Sequence, residues 1–332
     1  MNKKGFTLVE LLAVVVILGI ILALSFPSIV NFITNTTKNA FKMDAKMVLN
    51  TIRLKMAGDL TFDYTTINES NIETLLNIDS ANYKTITIKD ENGDPFIIIV
   101  GKNKWNNMTV IGTRNNIEIY EGLVLLLDAS IYASYPGSGN TWYDLSGNNN
   151  NCQWDVAPDF NLDNYFVFNG TSHYGTITNN PSLDFSENQT LIMVLRYTYT
   201  TGRKNPWDQA YGGYGTWTHE NGSNINQYFG NAGVNNTPYI GINSGTTTRG
   251  VWNIIAITRS PVQHRWYING VHKNSTVNPY GILAYTAANI QIGRGYAGYW
   301  EGDMGYVIAY NRALSATEIE YNFNTLRSRF GL

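Results

Sequence analysis

Cysteine is almost absent from this 332-residue sequence, which contains only Cys152. A disulfide within the sequence is therefore excluded, and the fold has to rest on its hydrophobic core. A lone cysteine is most often a small, buried apolar side chain. We expect that structural role for Cys152.

Charge and histidine are also scarce. Only 14% of the residues are charged, and 23 basic against 25 acidic side chains give a formal net charge of −2. This balance lacks the basic excess of a nucleic-acid-binding surface, so no nucleic acid partner is expected. The four histidines show neither the spacing of zinc ligands nor a serine-elbow partner. They are His173, His219, His264 and His272.

Aromatic residues and glycine are abundant instead. The sequence has 22 Tyr, 13 Phe, 8 Trp and 30 Gly, together with many Asn, Ser and Thr. This composition is typical of a β-rich, exported protein with polar loops. The length is sufficient for two domains.

One long apolar run lies at the N-terminus. A short leader with Lys3 and Lys4 ends at Gly5, and the run then extends from Phe6 to Phe26 with Glu10 as its single acid. A helix over this run would be about 31 Å long, enough to span a bilayer. The two lysines would keep the leader in the cytoplasm. No small-residue cleavage site follows the run, unlike in an ordinary secretory signal.

This order of parts resembles the prepilin leader of type IV pilins and type II secretion pseudopilins. The resemblance implies that prepilin peptidase cleaves between Gly5 and Phe6 and that Phe6 is then N-methylated. It also implies that Glu10 pairs with the new amino terminus of a neighbouring subunit, and acids within membranes usually have a partner. The expected partners are other pilin subunits, prepilin peptidase and, before assembly, the inner membrane. The alternative is a plain membrane anchor, but such an anchor requires neither the Gly5-Phe6 junction nor an acid at the position of Glu10.

Two residues fall where pilins carry helix-weakening positions, Gly19 and Pro27. Proline removes a backbone donor and clashes with the preceding turn. We therefore expect the stretch between these residues to melt locally as a filament forms.

Apolar residues spaced by three and four predict that the helix continues beyond Pro27. This stripe consists of Phe41, Ala45, Val48, Ile52 and Met56. Gly58-Asp59 is a stop signal. The sequence therefore predicts a leader over 1–5 and a long helix over 6–57.

A small pilin-type β domain is predicted over 58–120. It should contain a short helix over 72–76, a β-hairpin over 83–100 and two further strands at 108–111 and 117–120. Together with the long helix, this sheet would form an α+β pilin module.

The remaining sequence, 121–332, contains a series of apolar strands and polar turns. They include Gly122-Leu-Val-Leu-Leu-Leu-Asp-Ala, Tyr165-Phe-Val-Phe-Asn-Gly, Thr190-Leu-Ile-Met-Val-Leu-Arg-Tyr, Arg265-Trp-Tyr-Ile-Asn-Gly-Val and Gly302-Asp-Met-Gly-Tyr-Val-Ile-Ala-Tyr. Asn269-Gly270 is typical of a tight hairpin turn, and Ser315 with Glu318 has capping-box spacing. In order and spacing this region resembles laminin-G-like, concanavalin-A-like jelly-roll domains. The resemblance implies an all-β sandwich with alternate residues buried between two sheets.

Some proteins with this architecture are retaining glycosidases, which need two carboxylates roughly 5 Å apart. The nearest candidates are Glu301 and Asp303, but Tyr306 stands in place of the final acid. Because the acid/base is missing, we expect no catalytic activity.

Binding is the favoured role for the jelly roll. Its segment 202–217 sets four aromatic residues among glycines and polar groups, and sugars stack on such rings. The candidate glycan-binding residues are Trp207, Tyr211, Tyr214 and Trp217, with a second cluster at Tyr296, Tyr299 and Trp300. The alternative is that these rings only attach long loops to the sandwich.

Calcium is a further candidate ligand, because laminin-G-like domains often bind it through oxygen atoms. The oxygen-rich candidates are Asp144, Asn148, Asp155 and Asp303. None has a diagnostic spacing, and surface turn chemistry explains these residues equally well. No other cofactor is expected.

These features predict a type IV pilin-like filament subunit that displays a lectin-like head for adhesion or glycan binding. It would lie in the cell membrane as a precursor and then in an extracellular filament or at the cell surface. Two alternatives remain open at this point. The protein could be a pseudopilin of a type II secretion-like system, or a structural major pilin whose jelly roll is only a coat.

Overall fold

The computed structural model describes residues 8–221, 223–230 and 239–332. Its longest element is the helix α1, Leu8–Gly58. The predicted stripe is buried at Phe41, Ala45, Val48 and Ile52, and Met56 packs against it. The first half of α1 instead exposes an almost unbroken run of apolar side chains from Leu8 to Ile33.

Among the described helices, α1 is the one long and apolar enough to cross a membrane, with a mean hydropathy of 2.9 over its most apolar window. It runs unbroken through Gly19 and Pro27 in this single chain. Local melting there concerns the assembled filament and stays a prediction.

A four-stranded antiparallel sheet follows α1 and the short helix α2, Ile72–Leu76. Its strands, in spatial order, are β1 Tyr83–Glu91, β2 Asp94–Gly101, β3 Met108–Thr113 and β4 Asn116–Glu121. Asn92 and Gly93 connect β1 to β2 with φ of 53° and 90°. Positive φ at both central residues suits a two-residue hairpin turn. The predicted helix–hairpin–strand order is confirmed.

Alternate side chains of this small sheet point to opposite faces, and both faces are buried. Ile97, Ile99 and Val110 face the second half of α1. Phe96, Ile98 and Ile111 face the following β-sandwich, where their core cluster includes Leu126, Tyr306 and Phe330. The small sheet is therefore a middle layer between the helix and the head.

The head is an antiparallel β-sandwich, as predicted. One sheet has the order β15-β14-β13-β12-β19-β10-β7-β6, and the other has the order β18-β17-β16-β11-β22-β9-β8, with β5 paired to β22. The strands are β5 Leu123–Asp128, β6 Thr141–Trp142, β7 Cys152–Val156, β8 Asp159–Asn161, β9 Tyr165–Asn169, β10 Tyr174–Ile177, β11 Gln189–Arg196, β12 Arg203–Gln209, β13 Gly215–Glu220, β14 Asn224–Gly230, β15 Tyr239–Thr246, β16 Asn253–Arg259, β17 Gln263–Ile268, β18 Val271–Val277, β19 Ile290–Ile292, β20 Arg294–Gly295, β21 Gly298–Tyr299 and β22 Glu301–Tyr310.

Local signals in the sequence account for several of these elements. Asn269 and Gly270, with φ of 52° and 75°, make the turn between β17 and β18. Ser315 and Glu318 form a capping box at the start of the C-terminal helix α3, Ala316–Leu326. This helix packs on the outer face of the β22 sheet. Cys152 is fully buried in the sandwich core, which confirms its structural role.

Candidate functional site

The N-terminal site predicted for processing and assembly is covered only in part by the structure. Gly5 and Phe6 lie outside the described residues. Glu10 lies in the first turn of α1, among the exposed apolar side chains Leu8 and Leu11. An acid in the first turn also interacts favourably with the helix dipole. The arrangement combines a membrane-length apolar surface with one carboxylate near its end.

The prediction of an exposed aromatic platform in the segment 202–217 is wrong for the three rings that the structure describes, Trp207, Tyr214 and Trp217. Trp207 lies in β12 and Trp217 in β13, where the two residues are direct cross-strand partners. These two rings and Tyr214 are each 0% exposed and belong to the sandwich core. A fully buried ring has no face left for a sugar. Tyr211 lies outside the described side chains.

The second aromatic cluster is divided by the fold. Trp300 is fully buried, whereas Tyr296 is 68% exposed. Tyr299 is half-buried and packs edge-on against Tyr174 at 6.0 Å, with the Arg294 guanidinium 5.6 Å from its ring centroid. This side of the head therefore carries tyrosine and arginine rather than a tryptophan platform.

Asp144, one of the residues proposed as a calcium ligand, is held by donors of the protein itself. Its carboxylate is buried and accepts hydrogen bonds from the backbone N–H groups of Leu126, Ser146 and Asn150 at 2.8–2.9 Å and from Ser146 Oγ at 2.7 Å. Burial raises the pKa of this carboxyl, and the hydrogen bonds oppose that shift. Four donors leave little capacity for a metal ion.

The other proposed calcium ligands have separate partners. Asn148 donates its side-chain N–H to Ser146 Oγ at 3.1 Å, and Asp155 accepts from Thr176 Oγ1 at 2.6 Å. Asp303 lies in β22, whereas Asp155 lies in β7 of the opposite sheet. Within the described part of the chain, no three His, Cys, Asp or Glu side chains form a cluster that could hold a metal ion.

The two acids considered for glycosidase chemistry are each held by a base. Lys204 Nζ lies 2.8 Å from Glu301 Oε2, and Arg196 Nε lies 2.6 Å from Asp303 Oδ2. Tyr306 is buried against the small sheet and has a pKa well above its usual value, mainly because of burial.

A groove that the sequence did not reveal lies where the small sheet meets the head. Its volume is about 550 Å³, within the range of small-molecule sites. Thr87, Lys89 and Asp90 line it from β1, and Tyr132, Tyr143 and Asn151 line it from the head. The two tyrosines are 44% and 41% exposed. No local pattern marks this site, because its two sides are separated in sequence by more than 40 residues.

Two separate parts of the chain match known protein families. Residues 1–26 match the prokaryotic N-terminal methylation motif. The chain is thus a type IV pilin-like protein at its N-terminus. Residues 169–320 match the concanavalin A-like lectin/glucanases superfamily, so the chain carries a laminin G-type domain behind the pilin module. In a comparison with curated proteins, no sequence matches this chain.

Solved structures similar to this chain include toxin binding domains. The binding domain of botulinum neurotoxin DC, solved with rat synaptotagmin II, is 14% identical with a TM-score of 0.50 and covers 62% of this chain and 52% of its own. The binding domain of Paraclostridial mosquitocidal protein 1 is 18% identical with a TM-score of 0.49 and covers 61% and 52%. The chain therefore spans about half the length of these structures. At such identities the likeness concerns the fold alone.

Proposed function

We propose that this protein is a filament subunit that carries a non-catalytic, lectin-like head to the cell surface for adhesion. The observation that carries the proposal is the division of α1 into two halves. Its first half exposes apolar side chains suited to a membrane or a filament core, and its second half is buried on the small sheet. The methylation motif at residues 1–26 supports processing by prepilin peptidase before assembly with other subunits.

The attachment of the head to the helix supports a display role. The small sheet is buried on both faces, and two ion pairs join α1 to β4: Lys38 Nζ lies 3.1 Å from Glu121 Oε2, and Lys42 Nζ lies 3.8 Å from Glu118 Oε2. Exposed ion pairs are weak individually. Together with the apolar contacts, they fix the small sheet to the second half of α1, and the other face of that sheet packs on the head.

The proposed absence of catalysis rests on Glu301 and Asp303. Each carboxylate is committed to a basic side chain, and a retaining glycosidase needs one free acid/base beside a nucleophile. Incubation of the full chain with soluble polysaccharides should release no reducing ends. Their release in the wild type, and its loss in Glu301→Gln, would establish an enzyme instead.

The test of filament assembly is Glu10→Val, with Leu11→Val as a matched control on the neighbouring helix position. Because losing one member of a buried charge pair leaves the other uncompensated, Glu10→Val should insert into the membrane but enter filaments poorly. The readout is the fraction of each variant in sheared surface filaments against the membrane fraction. Equal incorporation of both variants would contradict the proposed pairing. Recovery of the wild type only in the membrane fraction would favour a pseudopilin.

A further inference from the structure

The groove between the small sheet and the head has a charged donor at its base. Lys89 projects from β1 toward the head, on the same face as its cross-strand partner Phe96. Its Nζ donates to the Ala133 carbonyl at 3.0 Å and lies 4.8 Å from the Tyr143 ring centroid. One of its three N–H bonds is thereby used, and the ammonium has capacity for further acceptors.

The same groove offers further polar groups beside Lys89. Thr87 lies two residues before Lys89 on β1, so its hydroxyl shares the strand face that carries Lys89 and can both donate and accept. Asn151 lines the opposite side, where its side-chain oxygen accepts the Asp144 N–H at 2.9 Å and its amide N–H groups are donors. A ligand rich in hydroxyl groups, which both donate and accept, fits this mixture.

Hydrogen bonds between the two modules and within the head hold the aromatic side of the groove in place. Glu91 Oε1 and Oε2 accept from the backbone N–H groups of Tyr132 at 3.0 Å and Ala133 at 2.7 Å. Ser134 accepts the Tyr143 N–H on its carbonyl at 2.8 Å and donates its hydroxyl to the Tyr143 carbonyl at 2.7 Å. The segments that carry the two tyrosines are therefore fixed before any ligand arrives, which reduces the entropic cost of binding.

We propose that this groove binds a saccharide, with a sugar ring against Tyr132 and Tyr143 and its hydroxyls on Lys89, Thr87 and Asn151. The apolar C–H face of a sugar can pack on a tyrosine ring while the polar groups fix its orientation. The inference rests on the proposed function, because it names the ligand class and the location of the adhesive site. Both modules build the site, so neither would bind the saccharide alone.

The test uses the full chain in detergent micelles on an array of neutral and acidic glycans, followed by calorimetric titration of each glycan that binds. Tyr143→Ala should weaken binding by about tenfold or more, as expected when an aromatic anchor is truncated. Lys89→Met should weaken it to a similar extent. Tyr285→Ala is the matched control, because this tyrosine is 57% exposed in the head and does not line the groove.

Each outcome decides between the site and the function. Selective loss in Tyr143→Ala and Lys89→Met, with Tyr285→Ala unchanged and all melting temperatures preserved, supports the groove. Glycan binding that survives both groove variants overturns the groove but leaves an adhesive head. Failure of the wild type to bind any glycan overturns the saccharide site, whereas the proposed filament role is tested separately by the incorporation of Glu10→Val.

Discussion

Replacement of Trp217 by alanine distinguishes a core residue from a binding residue. The Trp217 ring is 0% exposed and packs against Trp266 with ring centroids 5.0 Å apart. It also lies opposite Trp207 across β12 and β13. The substitution therefore removes a large apolar side chain from the middle of the sandwich, where neighbouring rings cannot collapse fully into the space.

The expected cost follows from the size of the buried group. Truncation of a buried tryptophan to alanine destabilises by about 3–5 kcal/mol, which combines lost transfer free energy with the cavity left behind. For a domain of this size, each kcal/mol lowers the melting temperature by about 2–4 °C. We therefore expect Trp217→Ala to melt roughly 6–20 °C below the wild type.

The assay is thermal unfolding of the full chain in detergent, followed by near-ultraviolet circular dichroism. Tyr143→Ala is the comparison, since its ring is 41% exposed and its loss should change stability by only about 0.5 kcal/mol. A Trp217→Ala protein with wild-type melting and weakened glycan binding would refute the burial argument. It would return the binding site to the segment 202–217.

Two further predictions concern the junction between the small sheet and the head and the stability of the protein at acidic pH. Gly147 has φ of +83°, and a Cβ there would lie 2.5 Å from Val100 Cγ2 on the small sheet. Gly147→Ala should therefore lower the melting temperature and increase protease cleavage between the modules. Gly139→Ala is the control, because a Cβ at this exposed position meets no atom within 4 Å and should preserve the junction. Burial lowers the pKa of His219 and His264 to about 3, so below about pH 6.5 the unfolded chain binds more protons than the folded one and the folded state loses stability as the pH falls. Between pH 7 and pH 5 the free energy of unfolding of His264→Gln should therefore decrease by about 2 kcal/mol less than that of the wild type. Equal decreases in denaturant titrations of the two proteins would contradict this prediction.

The sequence predicted those elements whose signals are local. The stripe from Phe41 to Ile52 has helical spacing, Asn269-Gly270 suits a hairpin turn, and Ser315 with Glu318 caps a helix. Each signal depends on residues within a few positions of one another. Tertiary context therefore had little opportunity to override it.

The binding site could not be predicted in the same way. Glycines around Trp207 and Trp217 suggested a loop, but Thr216-Trp217-Thr218 lies in β13, where all three side chains are buried. Whether a strand lies in the core depends on its neighbours in the sheet, which local composition does not specify. The groove joins Lys89 of the pilin module to Tyr143 of the head, and only the packing of the two modules brings these residues together.

Processing and assembly as a pilin-like subunit leave a chemical mark on the N-terminus of the mature chain. Mass analysis of the N-terminal peptide of the protein recovered from sheared surface filaments reads this mark. We expect a chain that begins at Phe6 and carries one methyl group on its amine. A chain that retains Met1, or one that is cleaved near Ser25, would contradict it.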